Sequence, residues 1–462
     1  MKRRLLYGVF LAVLVLGAVL LRPASTLVQA LRHDAHDLPT DAPGYANDVS
    51  RLNQTRVQAI VPVAADSARA VAQLQHLLIE ARQRKLPVSI AGARHSMGGH
   101  TIAPGGIQVD MRPFRHMRLD TATGTLTVGA GALWSDVIPY LNRYGRAIHT
   151  MQSDNAFSVG GSLSVNCHGW QHNAPPIAAT VQSFQLLLAN GTVVRCSRQQ
   201  HAELFGLALG GYGLFGIILN VELRTVPNEV YAYRRVLVAA ADYTTAYRQH
   251  VDRNPRARMV YGRLNVSAER FLQDASLNYF EFRRPAAPGL ALEAPALAAV
   301  KRAVFLGSKE DDYGKALRWN AEQLFSRLTV GTEVARNQIM NESPALYLNQ
   351  SARRTDVLHE YFIPRRQFAG FVRRLQAIVP RHHLNLLNVT IRNVYPDQDA
   401  LLRYADEEMF AFVMFFDQPV DAAADQRMAA LTRELIDAAD QLGGTYYLPY
   451  RLHASAEQFR RA

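Results

Sequence analysis

Residues 91–100, AGARHSMGGH, place three glycines, two alanines, an arginine and His95 in one loop. A tight turn needs one or two glycines, and the extra small residues let a ligand come close to the backbone. A helix capped by Asp66, with apolar residues at helical spacing, and a short strand at residues 87–90 precede the loop. This order of helix, strand and glycine loop predicts a ligand-binding loop.

A second stretch of the same kind is SDNAFSVGGSLSVNCHGW, residues 153–170. Both stretches place small residues beside hydrogen-bond donors, which lets backbone N–H groups surround an anion. Two such loops predict one long anionic ligand. Two glycine-rich turns without a ligand are the alternative interpretation.

Composition limits the class of protein. The chain has 462 residues and 48% hydrophobic residues, which predicts two or three globular domains and excludes wholesale disorder. The net charge is +12, but the arginines are scattered in pairs, which argues against nucleic-acid binding. A solvated basic surface, or attraction to an anionic cofactor or lipid, explains the charge better. Two cysteines, Cys167 and Cys196, allow one disulfide but no thiolate metal site.

The first thirty residues have the pattern of a targeting segment. Three basic residues at positions 2–4 precede an uninterrupted apolar run over residues 5–21, which is typical of a secretory signal peptide. The run is also nearly long enough to be an uncleaved membrane anchor with its basic end in the cytoplasm. We therefore expect an exported protein, periplasmic or anchored in the inner membrane facing the periplasm. Residues 31–50 are predicted to be a linker.

The body of the chain divides near Pro227. Before it, residues 51–227 give hairpins around Gly124 and around Asn190 and Gly191, with a helix near residues 135–144. After it, residues 228–440 give long strands alternating with helices, and residues 441–462 return to the first part. Strands outnumber helices and pair largely with sequence neighbours, so the fold class is α+β with two domains.

Two local motifs suggest other ligands and are set aside. GYGLFG, residues 211–216, matches a dinucleotide-binding pattern, but a helix precedes it and a strand follows, the reverse of a Rossmann unit. His168 and His172 have the spacing of metal ligands on a helix, but Gly169 and the lack of a nearby acidic ligand argue against a metal site. No metal is expected.

Four segments in register resemble the FAD-binding domain of the vanillyl-alcohol oxidase/p-cresol methylhydroxylase superfamily. They are PVSIAGARHSMGGH, TLTVGAGALWSDV, FSVGGSLSVNCHG and LFGLALGGYGLFGIILNVEL, within residues 50–226. The resemblance implies a PCMH-type FAD-binding domain and a cap domain with an antiparallel sheet. It implies FAD as the cofactor, with contacts from residues Ile90, Ala91, Gly92, Ala93, Arg94, His95, Ser96, Met97, Gly98, Ser153, Ser158, Val159, Gly160, Gly161, Val165, Asn166, Cys167, His168, Ile218 and Tyr447.

The substrate side of the resemblance is incomplete. The alditol and aldonolactone oxidases, including D-arabinono-1,4-lactone oxidase, present a Glu-x-Arg pair, where this chain has Thr390 and Arg392. The decaprenylphosphoryl-ribose oxidases use a tail lysine, where this chain has Tyr450. The catalytic candidates are therefore Arg392, Tyr450, His453 and His168, and Arg392 or Arg451 would supply positive charge near the flavin.

The function implied is an FAD-dependent oxidase or dehydrogenase that oxidises a CH–OH group of a polyol, sugar or sugar lactone. Its partners would be a small-molecule alcohol or sugar, and oxygen or a membrane electron acceptor. The alternatives are an enzyme similar to decaprenylphosphoryl-ribose oxidase that acts on a lipid-linked sugar, and a periplasmic protein that binds flavin without turnover.

His95 receives a specific role from the resemblance. In the alditol, aldonolactone and cytokinin branches, a histidine at this place is bonded to the 8α carbon of the flavin. Relatives with two bonds need a cysteine where this chain has Asp154. The resemblance therefore implies one covalent bond, through His95, with Arg94 helping to keep its imidazole neutral.

Overall fold

The computed structural model describes residues 21–293 and 298–462. Residues 21–32 are helical. The further α-helices are Ser67–Gln83, Trp134–Asn142, Val159–Ser164, Ala202–Ala208, Tyr243–Tyr247, Ala298–Glu310, Asp312–Thr329, Arg336–Met340, Phe368–Ile378, Ala422–Asp440 and Ala456–Arg461. Together with the sheets described below, they confirm the α+β class.

A small parallel sheet carries the first glycine loop. Its strand order is Ala59–Pro62, Ile107–Asp110, Val88–Ala91. The helix Ser67–Gln83 precedes the edge strand, and the side chain of Asp66 accepts a hydrogen bond from the N–H of Arg69, as the predicted cap requires. Leu74 and Leu77 of this helix lie in the same hydrophobic core as Val109 of the central strand. The strand Val88–Ala91 therefore ends at a fixed place, where the loop begins.

An antiparallel sheet follows. Its order is Val193–Ser197, Val181–Leu187, Ile217–Pro227, Thr125–Gly129 and Met117–Asp120, and Arg146–Ile148 also pairs with Ile217–Pro227. The predicted hairpins are present: Thr125–Gly129 pairs with Met117–Asp120, and Val193–Ser197 pairs with Val181–Leu187. Gly124 and Gly191 have φ values of 70° and 86°, which these turns need. A short two-stranded pair joins Tyr45–Ala46 to Thr55–Arg56.

The largest sheet has eight antiparallel strands. Their order is Glu333–Ala335, Glu229–Ala239, Asp274–Pro285, Ala257–Leu264, Asn385–Val394, Met409–Pro419, Arg354–Pro364 and Thr445–Tyr446. Its strands alternate side chains between two faces. One face packs against helices Phe368–Ile378 and Ala422–Asp440, with Tyr361, Phe412 and Ile391 in that core. The opposite face is left to line a cavity.

The structure adds detail to two expectations. Asp48 and Ser50, at the end of the predicted linker over residues 31–50, are buried and hydrogen-bonded to each other. Cys167 and Cys196 are buried free thiols, so the allowed disulfide is absent.

The predicted targeting segment lies mostly outside the described residues. Within residues 21–293 and 298–462, no helix has the length and apolar character needed to cross a membrane.

Candidate functional site

One continuous cavity of about 830 Å³ runs between the glycine loops and the free face of the eight-stranded sheet. A volume of this size is typical of cofactor and substrate sites. Both predicted loops line it, as do Arg392, Tyr447 and Tyr450. The cavity therefore brings the two glycine stretches and most of the predicted catalytic residues to one place.

The first glycine loop follows strand Val88–Ala91 and needs its small residues for close approach. A Cβ atom on Gly92 would lie 1.9 Å from Ser158 Oγ, and one on Gly98 would lie 2.5 Å from the carbonyl oxygen of Tyr450. Arg94 adopts the left-handed conformation with a φ of 58°, which few residues with side chains adopt. The loop is thus held against both the second glycine stretch and the carboxyl-terminal segment.

Residues from both ends of the chain fix this loop. The Asp48 carboxylate accepts a hydrogen bond from the N–H of Gly99 at 2.9 Å. Asn53 donates to the carbonyl of Met97 at 2.9 Å, and Arg451 donates to the same carbonyl at 3.2 Å. The N–H of Met97 donates to the carbonyl of Pro449 at 2.8 Å. The loop shape therefore depends on contacts with residues 48–53 and 449–451.

Several buried donors around the loop have no protein partner. They are Arg94 Nε, Ser96 Oγ and Thr101 Oγ1, and all three residues line the cavity. Buried polar groups are rarely left unpaired, so this end of the cavity is prepared for a ligand rich in acceptor oxygens. A diphosphate with an adjoining ribityl chain has this chemistry. The residues present therefore fit FAD.

The second glycine stretch forms the short helix Val159–Ser164. Ser158 caps it by accepting a hydrogen bond from the N–H of Gly161 at 3.3 Å. Ser162 accepts a hydrogen bond from Trp134 Nε1 at 2.8 Å and donates to Gln152 at 2.9 Å, so the buried side of the helix is fixed. Gly160 and Gly161 lie on the cavity side.

His95, in the first glycine loop, contacts the second glycine stretch. Its ring stacks on Phe157 with centroids 4.3 Å apart and an interplanar angle of 18°. Burial lowers the pKa of His95 to about 4, so the imidazole is neutral at pH 7. The neutral state predicted for His95 thus has burial as its cause, and not Arg94.

His168, Glu360 and Tyr450 form a hydrogen-bonded trio that lines the cavity. His168 Nε2 lies 2.6 Å from Glu360 Oε1, and the side chains are 5% and 3% exposed. The Tyr450 hydroxyl donates to the other oxygen of Glu360 at 3.0 Å. Burial opposes ionisation of Glu360, but His168 and Arg392 outweigh it and lower the pKa of the carboxyl. Glu360 is therefore a carboxylate that accepts from both neighbours.

That hydrogen bond fixes the orientation of the His168 ring. A carboxylate beside Nε2 holds a proton on that nitrogen, so Nδ1 is the ring nitrogen left free to contact a ligand. His168 lines the cavity, and its Nδ1 atom has no hydrogen-bond partner in the protein. Nδ1 is therefore the ring nitrogen available to a ligand in the cavity, and the Glu360 carboxylate stabilises positive charge on the ring.

Arg392 and Asp154 add charge near the trio. Arg392 Nη2 donates to Ser153 Oγ at 2.7 Å, which ties the sheet to the second glycine stretch. Burial raises the pKa of Asp154 to about 7, with Glu342 acting in the same direction and Arg392 against it. The position that the resemblance matched to a cysteine is thus a carboxyl group balanced between two protonation states at neutral pH.

Some predicted residues are not brought to the cavity wall. Asn166 faces away, because its amide donates to Asp397 at 2.6 Å and accepts from the N–H of Ala178 at 3.1 Å. Ala91, Met97, Gly98 and Val159 are also absent from the cavity lining.

The predicted catalytic residue His453 also lies away from the cavity. His453 is buried beside Thr432 at 3.0 Å and Asp425 at 3.2 Å, where it ties the tail to helix Ala422–Asp440. Arg451 forms an ion pair with Asp425 at 2.6 Å and acts on the loop through Met97, so it does not place its charge in the cavity.

The sequence alone did not predict several residues that line the cavity. They are Glu360 and four charged residues further along the sheet face, Arg235, Arg263, Arg318 and Glu322. The cavity lining also includes Tyr212, Gly213 and Gly216 of the GYGLFG stretch, although its helix-before-strand order does not predict a Rossmann nucleotide site. Alternation gave a signal only for Arg392, which follows Asn388 and Thr390 at every second position of its strand. Glu360 and Arg235 each stand beside another polar residue, His359 and Arg234, so the pattern does not single them out.

Comparison with known proteins identifies the loop-bearing part of the chain. Residues 62–197 match the model of the FAD binding domain. L-gulonolactone oxidase of Bos taurus is 29% identical over 175 residues, which are 38% of this chain and 40% of that protein. Cytokinin dehydrogenase 7 of Oryza sativa subsp. japonica is 32% identical over 149 residues, 30% of this chain and 28% of that protein.

A third relative is an uncharacterized oxidoreductase of Rhodococcoides fascians, 32% identical over 157 residues, 34% of this chain and 36% of that protein. The chain thus spans 28–40% of the length of these three relatives. The shared part holds both glycine stretches, whose orphaned donors fit FAD, and FAD is the cofactor of this domain. Residues 62–197 are thus similar to the FAD binding domain, and over this part the chain is similar to FAD-linked oxidases and dehydrogenases.

Proposed function

We propose that the protein is an FAD-dependent oxidoreductase that oxidises a CH–OH group of a sugar, polyol or sugar lactone. The observation that carries the proposal is the buried pair of His168 and Glu360, 2.6 Å apart, on the wall of the cavity that also holds the FAD-binding loops. The similarity to L-gulonolactone oxidase supports a sugar-derived substrate.

Each of the four residues around the reacting group has a separate role. His168 Nδ1 accepts the proton of the substrate hydroxyl, and the Glu360 carboxylate stabilises the positive charge that the ring gains. Tyr450 holds Glu360 in place through its 3.0 Å hydrogen bond. Arg392 attracts the oxygen that becomes a carbonyl. When bound, FAD supplies the acceptor for the two electrons that leave with the hydrogen on carbon.

The test is anaerobic reduction of the purified yellow protein. A panel of neutral sugars, polyols, sugar lactones, sugar acids and sugar phosphates is added in turn, and loss of flavin absorbance is recorded. Bleaching by at least one compound supports the proposal. A protein that stays oxidised with the whole panel, while dithionite bleaches it, would instead be a flavin-binding protein without this activity.

We propose further that His95 carries a single covalent bond to FAD. Burial keeps its pKa at about 4, so a ring nitrogen has a free electron pair at neutral pH. The bond would replace one hydrogen of the flavin 8α-methyl group, and the two electrons and two protons released would pass to the acceptor that reoxidises the cofactor. The denatured wild-type band should fluoresce after acid treatment, and His95→Ala should release its flavin. Complete loss of FAD from the precipitated wild type contradicts the bond.

The domain boundaries are part of the proposal. We propose an FAD-binding domain over residues 51–227, a substrate domain over residues 228–440 and a tail over residues 441–462 that completes the first domain. The 2.6 Å hydrogen bond from the Tyr447 hydroxyl to the carbonyl of Val165 supports the role of the tail. Separate hydrophobic cores support the division, although Tyr231 and Met259 belong to the first core.

We propose that the protein is exported and works on the periplasmic side of the inner membrane, with oxygen or a membrane acceptor receiving the electrons. The basic and apolar segment over residues 1–21 motivates this. A fusion of the first 50 residues to a reporter that fluoresces only after export tests it. A reporter that stays in the cytoplasm would contradict it.

A further inference from the structure

The cavity continues beyond the trio along the free face of the eight-stranded sheet. A row of register partners crosses this face, from Glu360 to Val413 to Thr390 to Arg263. Neighbouring strands lie about 4.8 Å apart, so the backbone at Arg263 is roughly 15 Å from that at Glu360. Arg235 lies further along the same face, on strand Glu229–Ala239. Its register partner on the neighbouring strand Asp274–Pro285 is Asn278.

This remote end is rich in cations. Glu322 accepts a hydrogen bond from Arg263 at 2.9 Å and from Arg318 at 3.2 Å, and its carbonyl accepts one from Arg235 at 3.1 Å. Burial opposes ionisation of Glu322, but the three arginines outweigh it and lower its pKa. Lys301 and Glu342 also line this end, so four cations face two carboxylates. The lining carries excess positive charge.

Hydrogen-bond donors remain unused there. Arg235 Nε, Arg235 Nη2, Arg263 Nε and the indole N–H of Trp170 are buried without a protein partner, and all three residues line the cavity. Trp170 stacks on Tyr261 with centroids 4.5 Å apart, so its ring is fixed. Unpaired buried donors together with excess positive charge call for a ligand that is anionic and rich in acceptor oxygens.

We propose that the substrate carries a phosphate or carboxylate group, which Arg235 and Arg263 bind at the end of the cavity remote from His168. This inference rests on the proposed function for its reacting end. It narrows the substrate from sugars and polyols in general to their anionic derivatives. Because the anion is bound several bonds from the reacting carbon, it positions the substrate along the sheet face and takes no part in proton transfer.

Two variants and one control test the subsite. Arg235→Gln removes two of the unused donors and leaves Glu322 with Arg263 and Arg318. Arg263→Gln removes the third arginine donor. The control is Arg283→Gln, an exposed arginine of the adjacent strand Asp274–Pro285. Thermal unfolding and FAD content of each purified variant establish that it is folded and loaded.

The first measurement is calorimetric titration of the FAD-loaded protein with inorganic phosphate and with gluconate at constant ionic strength. FAD occupies the first glycine loop, so this loop does not compete for the probe. We expect one of the two anions to bind the wild type and the control, and each subsite variant to bind it 10–100-fold more weakly. Stronger binding of phosphate indicates a phosphorylated substrate, and stronger binding of gluconate indicates a sugar acid. Equal binding by wild type and variants, or no binding of either anion, overturns the proposal.

The second measurement separates the subsite from the proposed function. Flavin reduction is compared for a sugar phosphate or sugar acid and for its neutral parent. We expect Arg235→Gln to raise the concentration needed for half-maximal reduction by the anionic compound 10–100-fold and to leave that for the neutral parent unchanged. Anion binding without reduction by any compound would defeat the oxidoreductase proposal and leave the subsite in place. Reduction by the anionic compound that needs the same concentration in the wild type and in both subsite variants would defeat the subsite and leave the oxidoreductase proposal in place.

Discussion

Replacing Glu360 by glutamine tests the chemical centre of the site most directly. Glutamine has nearly the same size and keeps hydrogen-bonding groups beside His168 and Tyr450, but it lacks the charge. Glu360 is ionised in the structure because His168 and Arg392 lower its pKa against the effect of burial. The Glu360→Gln variant therefore removes a charge without creating a cavity.

The expected size of the effect follows from the geometry. The closest nitrogen and oxygen atoms of His168 and Glu360 are 2.6 Å apart, and both side chains are almost fully buried. With charge centres about 4 Å apart and an effective dielectric constant of about 20, the attraction between imidazolium and carboxylate is about 4 kcal/mol. Glutamine recovers part of this through its dipole. Since about 1.4 kcal/mol corresponds to a factor of ten, proton acceptance should slow by about a hundredfold to a thousandfold.

The assay is rapid anaerobic mixing of the FAD-loaded protein with an active substrate, recorded as loss of flavin absorbance. The limiting rate should fall while the substrate concentration for half-maximal rate changes less than about fivefold, because the carboxylate charge acts on proton transfer more than on substrate binding. Glu222→Gln is the control, since Glu222 pairs with Arg195 at 2.8 Å outside the cavity lining. A limiting rate within threefold of wild type in a folded Glu360→Gln protein refutes the pairing as the source of basicity.

Three further predictions concern the charge and the tail of the site. Arg392→Gln should slow flavin reduction or weaken substrate binding at least tenfold, while the exposed Arg373→Gln changes either less than twofold, because charge acts more strongly in a buried cavity; equal effects measured by rapid mixing contradict this. Burial raises the pKa of Asp154 to about 7 from 3.8, so its stabilising neutral form is fully present below about pH 4 and is lost as the pH rises through 7. Asp154→Asn should therefore increase the free energy of unfolding at pH 8 by roughly 1–4 kcal/mol, measured as a higher thermal unfolding temperature, and leave it nearly unchanged at pH 4. The same shift at both pH values rejects the raised pKa of Asp154. Deleting the chain from Tyr446 onward should abolish flavin reduction and loosen FAD, and an active truncated protein with full FAD content would remove the tail from the site.

Local structure in the first part of the chain could be predicted because its determinants are close in sequence. Asp66 caps helix Ser67–Gln83 through a bond to the third residue after it. Asn190 and Gly191 turn a hairpin between strands that begin and end within 17 residues. The parallel sheet could not be predicted in the same way, since strand Ile107–Asp110 pairs with Ala59–Pro62 across about 50 residues. Turn chemistry carries no information about such pairing.

The site shows the same limit. His168 was predicted, but its partner Glu360 lies 192 residues away in sequence, and period-two alternation reveals only the face of a strand and not its neighbours. His453 was predicted from its closeness to Tyr450. The tail turns between them, so that Tyr450 contacts Glu360 while His453 packs on helix Ala422–Asp440. Nearness in sequence to Tyr450 therefore suggested a wrong role for His453, and sequence position gave no information about Glu360.

The basic composition also gains a more specific meaning. From composition alone, the net charge of +12 is explained by a solvated basic surface or by attraction to an anionic cofactor or lipid. Five arginines line the cavity, namely Arg94, Arg235, Arg263, Arg318 and Arg392. Enclosing cations without anions destabilises a fold, and the carboxylates nearby do not match them in number. A cavity of this kind is favoured when negatively charged ligands offset the cost, as the FAD diphosphate would near Arg94 and as the proposed anionic substrate would near Arg235. Replacing Arg94 or Arg235 should therefore weaken ligand binding more than it lowers the stability of the ligand-free protein. The reason is that the unpaired positive charge already destabilises the ligand-free fold.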